Sequence, residues 1–227
     1  MIIHKEGWLE QMNWWSDPNH PNAFTYANLD EYYPKEYIES ARMPSHVVDA
    51  YVKYVQEYYH KIAGGALKSV VEAGCAGGWF LKAFKEKGVK VLGLEGSLSG
   101  VEACVEAGLV RPFEISIFDL REPFNQFNFV ERFDICISSE CAEHVESPFA
   151  GTYVRNLIAT SDLIWFSSEP PNTNQAHLHH CNEQVLKYWI NLFDFLGYGC
   201  YLLPDHVHSE TAERSRCIFY NKKIYNP

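Results

Sequence analysis

No C-x-x-C pair occurs in this chain, although it holds seven cysteines, at 75, 104, 136, 141, 181, 200 and 217. Scattered and odd in number, they form neither a disulfide framework nor a zinc knuckle, and they fit a reducing compartment. Basic residues are few: 19 Lys and Arg stand against 29 Asp and Glu, for a formal charge of -10, and no Lys/Arg-rich run appears. A protein that grips phosphate backbones needs a basic footprint, so the charge argues against nucleic acid and for a small neutral or cationic partner. Long apolar runs are also missing. None approaches the roughly 18 residues of a membrane span, and the N-terminus lacks the basic and apolar regions of a signal peptide. The expectation is a cytoplasmic protein with no membrane association. Its oligomeric state is not legible.

What is present is a globular composition, 47% apolar and 21% charged over 227 residues, enough to bury a substantial core. Residues 1–45 stand apart. Trp8, Trp14, Trp15, Phe24, Tyr26, Tyr32, Tyr33 and Tyr37 are interrupted by Pro18, Pro21, Pro34 and Pro44. Aromatics without periodicity, broken by prolines, predict an irregular cap or lid over the remainder, 46–227. "PSHVVDAYVKYVQEYYHKI" reads as an amphipathic helix capped by Ser45, with Val48, Tyr51, Val55 and Tyr58 or Tyr59 inward.

After Gly64-Gly65 strands and helices alternate. Strands are predicted at 69–74, 89–95, 113–119, 133–139, 162–168, 199–205 and 215–223. Helices are predicted at 79–88, 98–108, about 141–160 and 182–197. The alternation implies an α/β fold, a doubly wound, mostly parallel seven-stranded sheet closed by an antiparallel strand. Trp189, on the last helix, reads as core.

"VVEAGCAGGWF" is the most specific segment, a strand, a glycine-rich turn and a helix start. The dinucleotide pattern G-x-G-x-x-G, started at Gly74, requires glycine at 76 and 79, where Ala76 and Trp79 stand. Glu72, at the strand end, would repel a pyrophosphate and attract a cation. Glu95 ends the second strand 21 positions after Gly74, where an acid accepts from ribose hydroxyls.

These residues resemble the first motif of the class I S-adenosylmethionine-dependent methyltransferases, an acidic residue, x, Gly, x, Gly, x, Gly. Glu72-Ala73-Gly74-Cys75-Ala76-Gly77-Gly78 matches it, with alanine at the middle glycine. The resemblance implies a Rossmann-like methyltransferase fold, with S-adenosyl-L-methionine held by Glu72, Gly74, Cys75, Ala76, Gly78 and Glu95. It also implies Asp119-Leu120 at the third strand end, beside the adenine. On sequence grounds the alanine is a mild departure, since it takes little space.

"SSECAEHVESP" follows the fourth strand. On one helical turn Glu140, Glu143 and His144 would point the same way. The segment resembles members carrying E-x-x-E-H after strand four and a histidine after strand five, among them ubiquinone-biosynthesis O-methyltransferases and small-RNA 2′-O-methyltransferases. That resemblance implies a divalent cation on Glu140, Glu143, His144 and His180. Mixed carboxylate and imidazole donors suit Mg²⁺, Mn²⁺, Fe²⁺ or Zn²⁺. The alternatives at this point are a metal-free role for Glu140 or His144 in substrate binding, a base at His177 or His179, or a plain helix cap.

The expected activity is O-methylation of a small hydroxylated or carboxylated metabolite, with Glu140, His144 and His180 as catalytic candidates. RNA 2′-O-methylation and N-methylation of a small amine are the alternatives. A catalytically silent cofactor-binding protein fits less well, because it has no use for the cluster.

Overall fold

The computed structural model describes residues 29, 33–40, 42–106, 108–124, 132–171, 180–204 and 215–227. Most of the aromatic N-terminal segment, with His177 and His179, lies outside these. Two helices lead in, α1 (Lys35–Ser40) and α2 (Ser45–Ala63). α2 buries Val48, Tyr51, Val52, Val55, Tyr58 and Tyr59, the expected stripe at helical spacing. Ser45 is not its cap. Pro44 takes that position and no side chain caps the end, because proline supplies the extended entry angle itself.

The sheet comprises β1 (Ser69–Ala73), β2 (Lys90–Glu95), β3 (Ile115–Ile117), β4 (Ile135–Ser139), β5 (Leu163–Ser168), β6 (Tyr198–Leu202) and β7 (Ser215–Asn221). Its order is β3-β2-β1-β4-β5-β7-β6. The first five strands run parallel, and β7 pairs antiparallel to both β5 and β6. This is the seven-stranded, mostly parallel sheet expected. Helices α3 (Trp79–Glu86), α4 (Leu98–Glu106), α5 (Ala150–Thr160) and α6 (Leu186–Phe195) complete it. One apolar cluster packs α2, α3 and α4 on one face of the sheet, around Val55, Phe84, Val101 and Trp165. The other packs α5 and α6 around Tyr153, Phe166, Trp189 and Phe193. Trp189 is fully buried and belongs to that core. Covering on both faces explains why the parallel strands read as continuous apolar runs.

Strand order reverses between β1 and β4, so their carboxyl ends open a crevice between diverging connections. The glycine turn leaves β1 there and Glu140 leaves β4 there.

The predicted helix over 141–160 is instead two 3₁₀ turns, Ala142–His144 and Ser147–Phe149, followed by α5. Pro148 lies inside the span and cannot donate the amide that a continuous helix needs. No helix among the described residues is long and apolar enough to cross a membrane.

Candidate active site

A cavity of about 340 Å³ occupies the crevice. Its wall joins the glycine turn (Glu72, Gly74, Cys75, Ala76), the end of β2 (Glu95, Gly96), the residues after β3 (Phe118, Asp119, Leu120, Arg121) and the segment after β4 (Glu140, Glu143, His144). His180 reaches it from beyond β5, and Tyr33, Ile38 and Met43 from the N-terminal segment. Thus eleven of the twelve candidate residues line one cavity. Gly78 does not, and serves as the N-cap of α3 in left-handed backbone, φ 69°.

The glycine turn is tightly specified. Gly74 sits at φ 70°, and a Cβ there would lie 2.4 Å from the Cys141 sulfur, so a side chain is excluded both by conformation and by space. Ala76 is also left-handed, φ 44°. The substitution of the middle glycine is therefore not mild in the way the sequence implies: what it costs is backbone conformation, not room. The strain is held in place by Glu95, whose Oε2 accepts the Ala76 N–H at 2.8 Å while Oε1 accepts the Ser97 N–H at 2.9 Å. Glu95 thereby ties the turn after β1 to the turn after β2, with its carboxylate fixed against the cavity.

Glu72 is 4% exposed, and its Oε2 has no hydrogen-bond partner among the described residues. Burial, and then the neighbouring Glu95, push its carboxyl well above the usual carboxylate range. An unpartnered buried carboxyl beside a second carboxylate fits a ligand carrying positive charge, and disfavours a phosphate.

At the third strand end Asp119 is 2% exposed, and the Arg121 guanidinium grips both its oxygens, at 2.8 to 3.0 Å. The same guanidinium donates to Glu146 at 2.8 Å. Asp119 is therefore clamped, a feature the sequence reading missed. The i to i+2 spacing of "DLR" was the available signal.

The E-x-x-E-H segment does not form one helical turn. Glu140 is in left-handed backbone, φ 51°, its N–H donated to the Ser167 carbonyl at 3.1 Å, and Ala142–His144 forms a 3₁₀ turn. The donors converge all the same. Glu143, His144 and His180 each offer a ligand atom, and these atoms all lie within 4.8 Å of one another. Glu140 is outside that set but lines the same cavity.

His180, 36 residues further along, is brought in by two backbone amides. The N–H groups of Cys181 and Asn182 both donate to the Glu143 carbonyl, at 2.9 Å each. The His144 and His180 rings stand 4.8 Å apart at 79°. Each has its Nδ1 engaged. His180 Nδ1 lies 3.0 Å from Glu183 Oε1, and His144 Nδ1 lies 2.9 Å from the Tyr33 hydroxyl. In both imidazoles Nδ1 is thus held by a neighbouring side chain, as an outer partner orients a metal-binding imidazole.

Glu143 is 1% exposed, and its Oε2 has no hydrogen-bond partner among the described residues. Burial and then Glu140 raise its carboxyl well above the usual range. One carboxylate and two imidazoles on converging side chains match the chemistry of a divalent cation site. The outer partners Tyr33 and Glu183 were not anticipated. Glu183 was legible as the i+3 acid in "HCNE".

The sequence profile of the methyltransferase domain family matches residues 47–160, half of the chain. No curated protein sequence matches. Solved structures resemble the fold. A sugar N-methyltransferase of Streptoalloteichus sp. shares 11% identity over 76% of this chain and 87% of its own, with a TM-score of 0.61. The magnesium protoporphyrin IX methyltransferase of Synechocystis, with bound S-adenosylhomocysteine (SAH), shares 14% over 90% and 97%, TM-score 0.56. A small RNA methyltransferase shares 15% over 75% of this chain and 25% of its own, TM-score 0.55. At such identities the likeness establishes the fold and is silent on the acceptor.

Proposed function

This chain belongs to the methyltransferase domain family, and from that premise we propose that it methylates a hydroxyl oxygen of a small metabolite, using S-adenosyl-L-methionine and a divalent cation. The observation that carries the reading is the single cavity, which joins the glycine turn to the Glu143–His144–His180 donors.

S-adenosyl-L-methionine, when bound, supplies a methyl group on a sulfonium centre. Glu72 would meet its positive charge, the side-chain-free Gly74 would admit its close approach, and Glu95 would offer the carboxylate for the ribose. Asp119 and Leu120 would flank the adenine. Gly78 holds the start of α3 against the turn, and Cys75 and Ala76 complete the cradle.

A divalent ion, when bound, lowers the pKa of an oxygen coordinated to it. Glu143, His144 and His180 would hold it, and Glu140 would stand beside them to orient the acceptor or complete the ligand set. The chain's own task is alignment: a displacement at carbon requires an approach in line with the departing sulfur, and fixed side chains supply that geometry. The acceptor would share this cavity. Its acidic wall and the net charge of -10 weigh against an RNA backbone. A small amine is the second reading, favoured by the buried Glu143 carboxyl facing the cavity, which would attract an ammonium without a metal.

Calorimetry with S-adenosyl-L-methionine tests the first half; absence of heat at high protein concentration overturns it. Titration with Mn²⁺, followed by electron paramagnetic resonance, tests the second. Binding by the wild type and its loss in Glu143→Ala and His180→Ala is expected, and no binding by the wild type removes the metal.

A further inference from the structure

Tyr33 touches both ends of the cavity. Its hydroxyl lies 2.9 Å from His144 Nδ1, and its ring meets the imidazole edge-to-face, with centroids 5.6 Å apart at 89°. Its backbone carbonyl accepts a hydrogen bond from the Ser97 hydroxyl at 3.1 Å. Ser97 is fully buried and rigidly set, since its N–H is donated to Glu95 Oε1 and its hydroxyl also accepts the Gly100 N–H at 3.0 Å. One residue of the N-terminal segment thus spans from the Glu95 end of the cavity to the His144 end.

The same segment is seated by shape. Gly96 has no side chain, and a Cβ built there would lie 2.8 Å from Leu29 Cδ1, so Leu29 occupies the space the glycine leaves. The Tyr33 N–H closes on the Leu29 carbonyl at 2.8 Å, and Ile38 is 2% exposed beneath. The Arg42 guanidinium stands 5.7 Å over the Trp79 ring at the start of α3. Leu29, Tyr33, Ile38 and Met43 all face the cavity.

From this geometry we infer that Tyr33 is a positioning residue: a strap that fixes the orientation of His144 and mechanically joins it to the Glu95–Ser97 end of the cavity. The imidazole has two ring nitrogens and rotates about two side-chain torsions. A single hydrogen bond at Nδ1 together with an edge contact removes most of that freedom and selects which nitrogen faces the cavity. Because the strap is anchored at Ser97 through its main chain, displacement of the Ser97 loop by a ligand moves the Tyr33 backbone. The hydroxyl carries that movement to His144. Rotation of His144 would conversely bear on the roof over the Glu95 end.

The inference rests on the proposed cofactor only for its choice of probe. The test uses the full chain labelled with ¹⁵N-histidine, at one fixed pH. His144 signals are assigned by their loss in His144→Gln. Tyr33→Phe keeps the ring and its edge contact and removes only the hydroxyl, so the fold is retained. In the ligand-free proteins the His144 Nδ1 shift should differ between wild type and Tyr33→Phe, because only the wild type carries the hydroxyl at 2.9 Å from that nitrogen. Adding SAH to saturation should shift the His144 signals in the wild type and leave them unmoved in Tyr33→Phe.

Ligand-free His144 signals identical in the two proteins would overturn the inference. A full SAH-induced shift persisting in Tyr33→Phe would overturn it equally. If the wild type binds no SAH, the proposed cofactor fails instead, and the ligand-free comparison still decides the role of Tyr33.

Discussion

The Ala76 amide reaches Glu95 Oε2 at 2.8 Å from a backbone φ of 44°, so the residue that departs from the glycine motif is held by the acid at the end of the next strand. Left-handed backbone costs a non-glycine residue about 1–2 kcal/mol, and glycine gives back part of that through its freer unfolded chain, about 0.5–1 kcal/mol. Ala76→Gly is accordingly expected to stabilise the protein by about 0.5–1 kcal/mol, read as a higher urea midpoint at unchanged slope. A lower midpoint would show that the turn needs the methyl group.

Gly74→Ala should do the reverse. Its Cβ would lie 2.4 Å from Cys141 Sγ and 3.1 Å from Cys141 Cβ, at a φ of 70°. We expect a loss of about 2 kcal/mol or more and abolished S-adenosyl-L-methionine binding. Cys141→Ala in the same chain removes the closer clash but not the conformational cost. The double variant should therefore recover part of the stability, a coupling readable in a double-mutant cycle.

Glu72 sets a pH dependence. Its folded carboxyl lies well above the usual value of 4.5, so in the ligand-free protein the group favours folding fully below that value. That stability is lost as pH rises through the folded pKa, because the folded state must then ionise a buried group. Glu72→Gln cannot ionise and should flatten the decline in melting temperature with rising pH. It should also weaken S-adenosyl-L-methionine binding at neutral pH. Equal slopes in the two proteins would contradict the assignment.

Arg121 should matter through Asp119. The guanidinium side chain is 14% exposed and its partner carboxylate 2%, so removing the cation strands a buried charge. Arg121→Met is expected to destabilise by about 3 kcal/mol, whereas Arg121→Met combined with Asp119→Asn should recover most of it. Chemical denaturation of the wild type and the two variants tests this.

Glu183→Ala leaves His180 in place but removes the acceptor at its Nδ1. Outer partners of this kind typically account for about 10- to 100-fold in metal affinity. A fall of that size in Mn²⁺ affinity, without change in the melting temperature of the metal-free protein, is the expected result.

Much of the architecture was written in local pattern. The strand ends at Glu72, Glu95 and Ser139 were readable because parallel strands buried on both faces are continuous apolar runs, stopped where the chain turns. The glycine turn was readable because its conformation admits few residue types at Gly74 and Gly78. The segment 141–160 reads as one helix because its apolar spacing resembles one, while Pro148 forbids it. The left-handed geometry of Glu140 is not legible in the sequence, because nothing local marks a non-glycine residue for that conformation. That conformation is imposed by the strand beside it, through Ser167.

The sequence alone determined the sheet, the glycine turn and the acids at successive strand ends, because each depends on residues within a few positions of one another. Only the tertiary structure decided that Asp119 is clamped by Arg121 while Glu72 Oε2 has no hydrogen-bond partner among the described residues. It also decided the union of Glu143 and His144 with His180, which rests on two amides donated to one carbonyl across a long separation. The contact of Tyr33 with His144 spans 111 residues. No periodicity records a hydrogen bond over that distance; the packing of the N-terminal segment on Gly96 and Ser97 creates it.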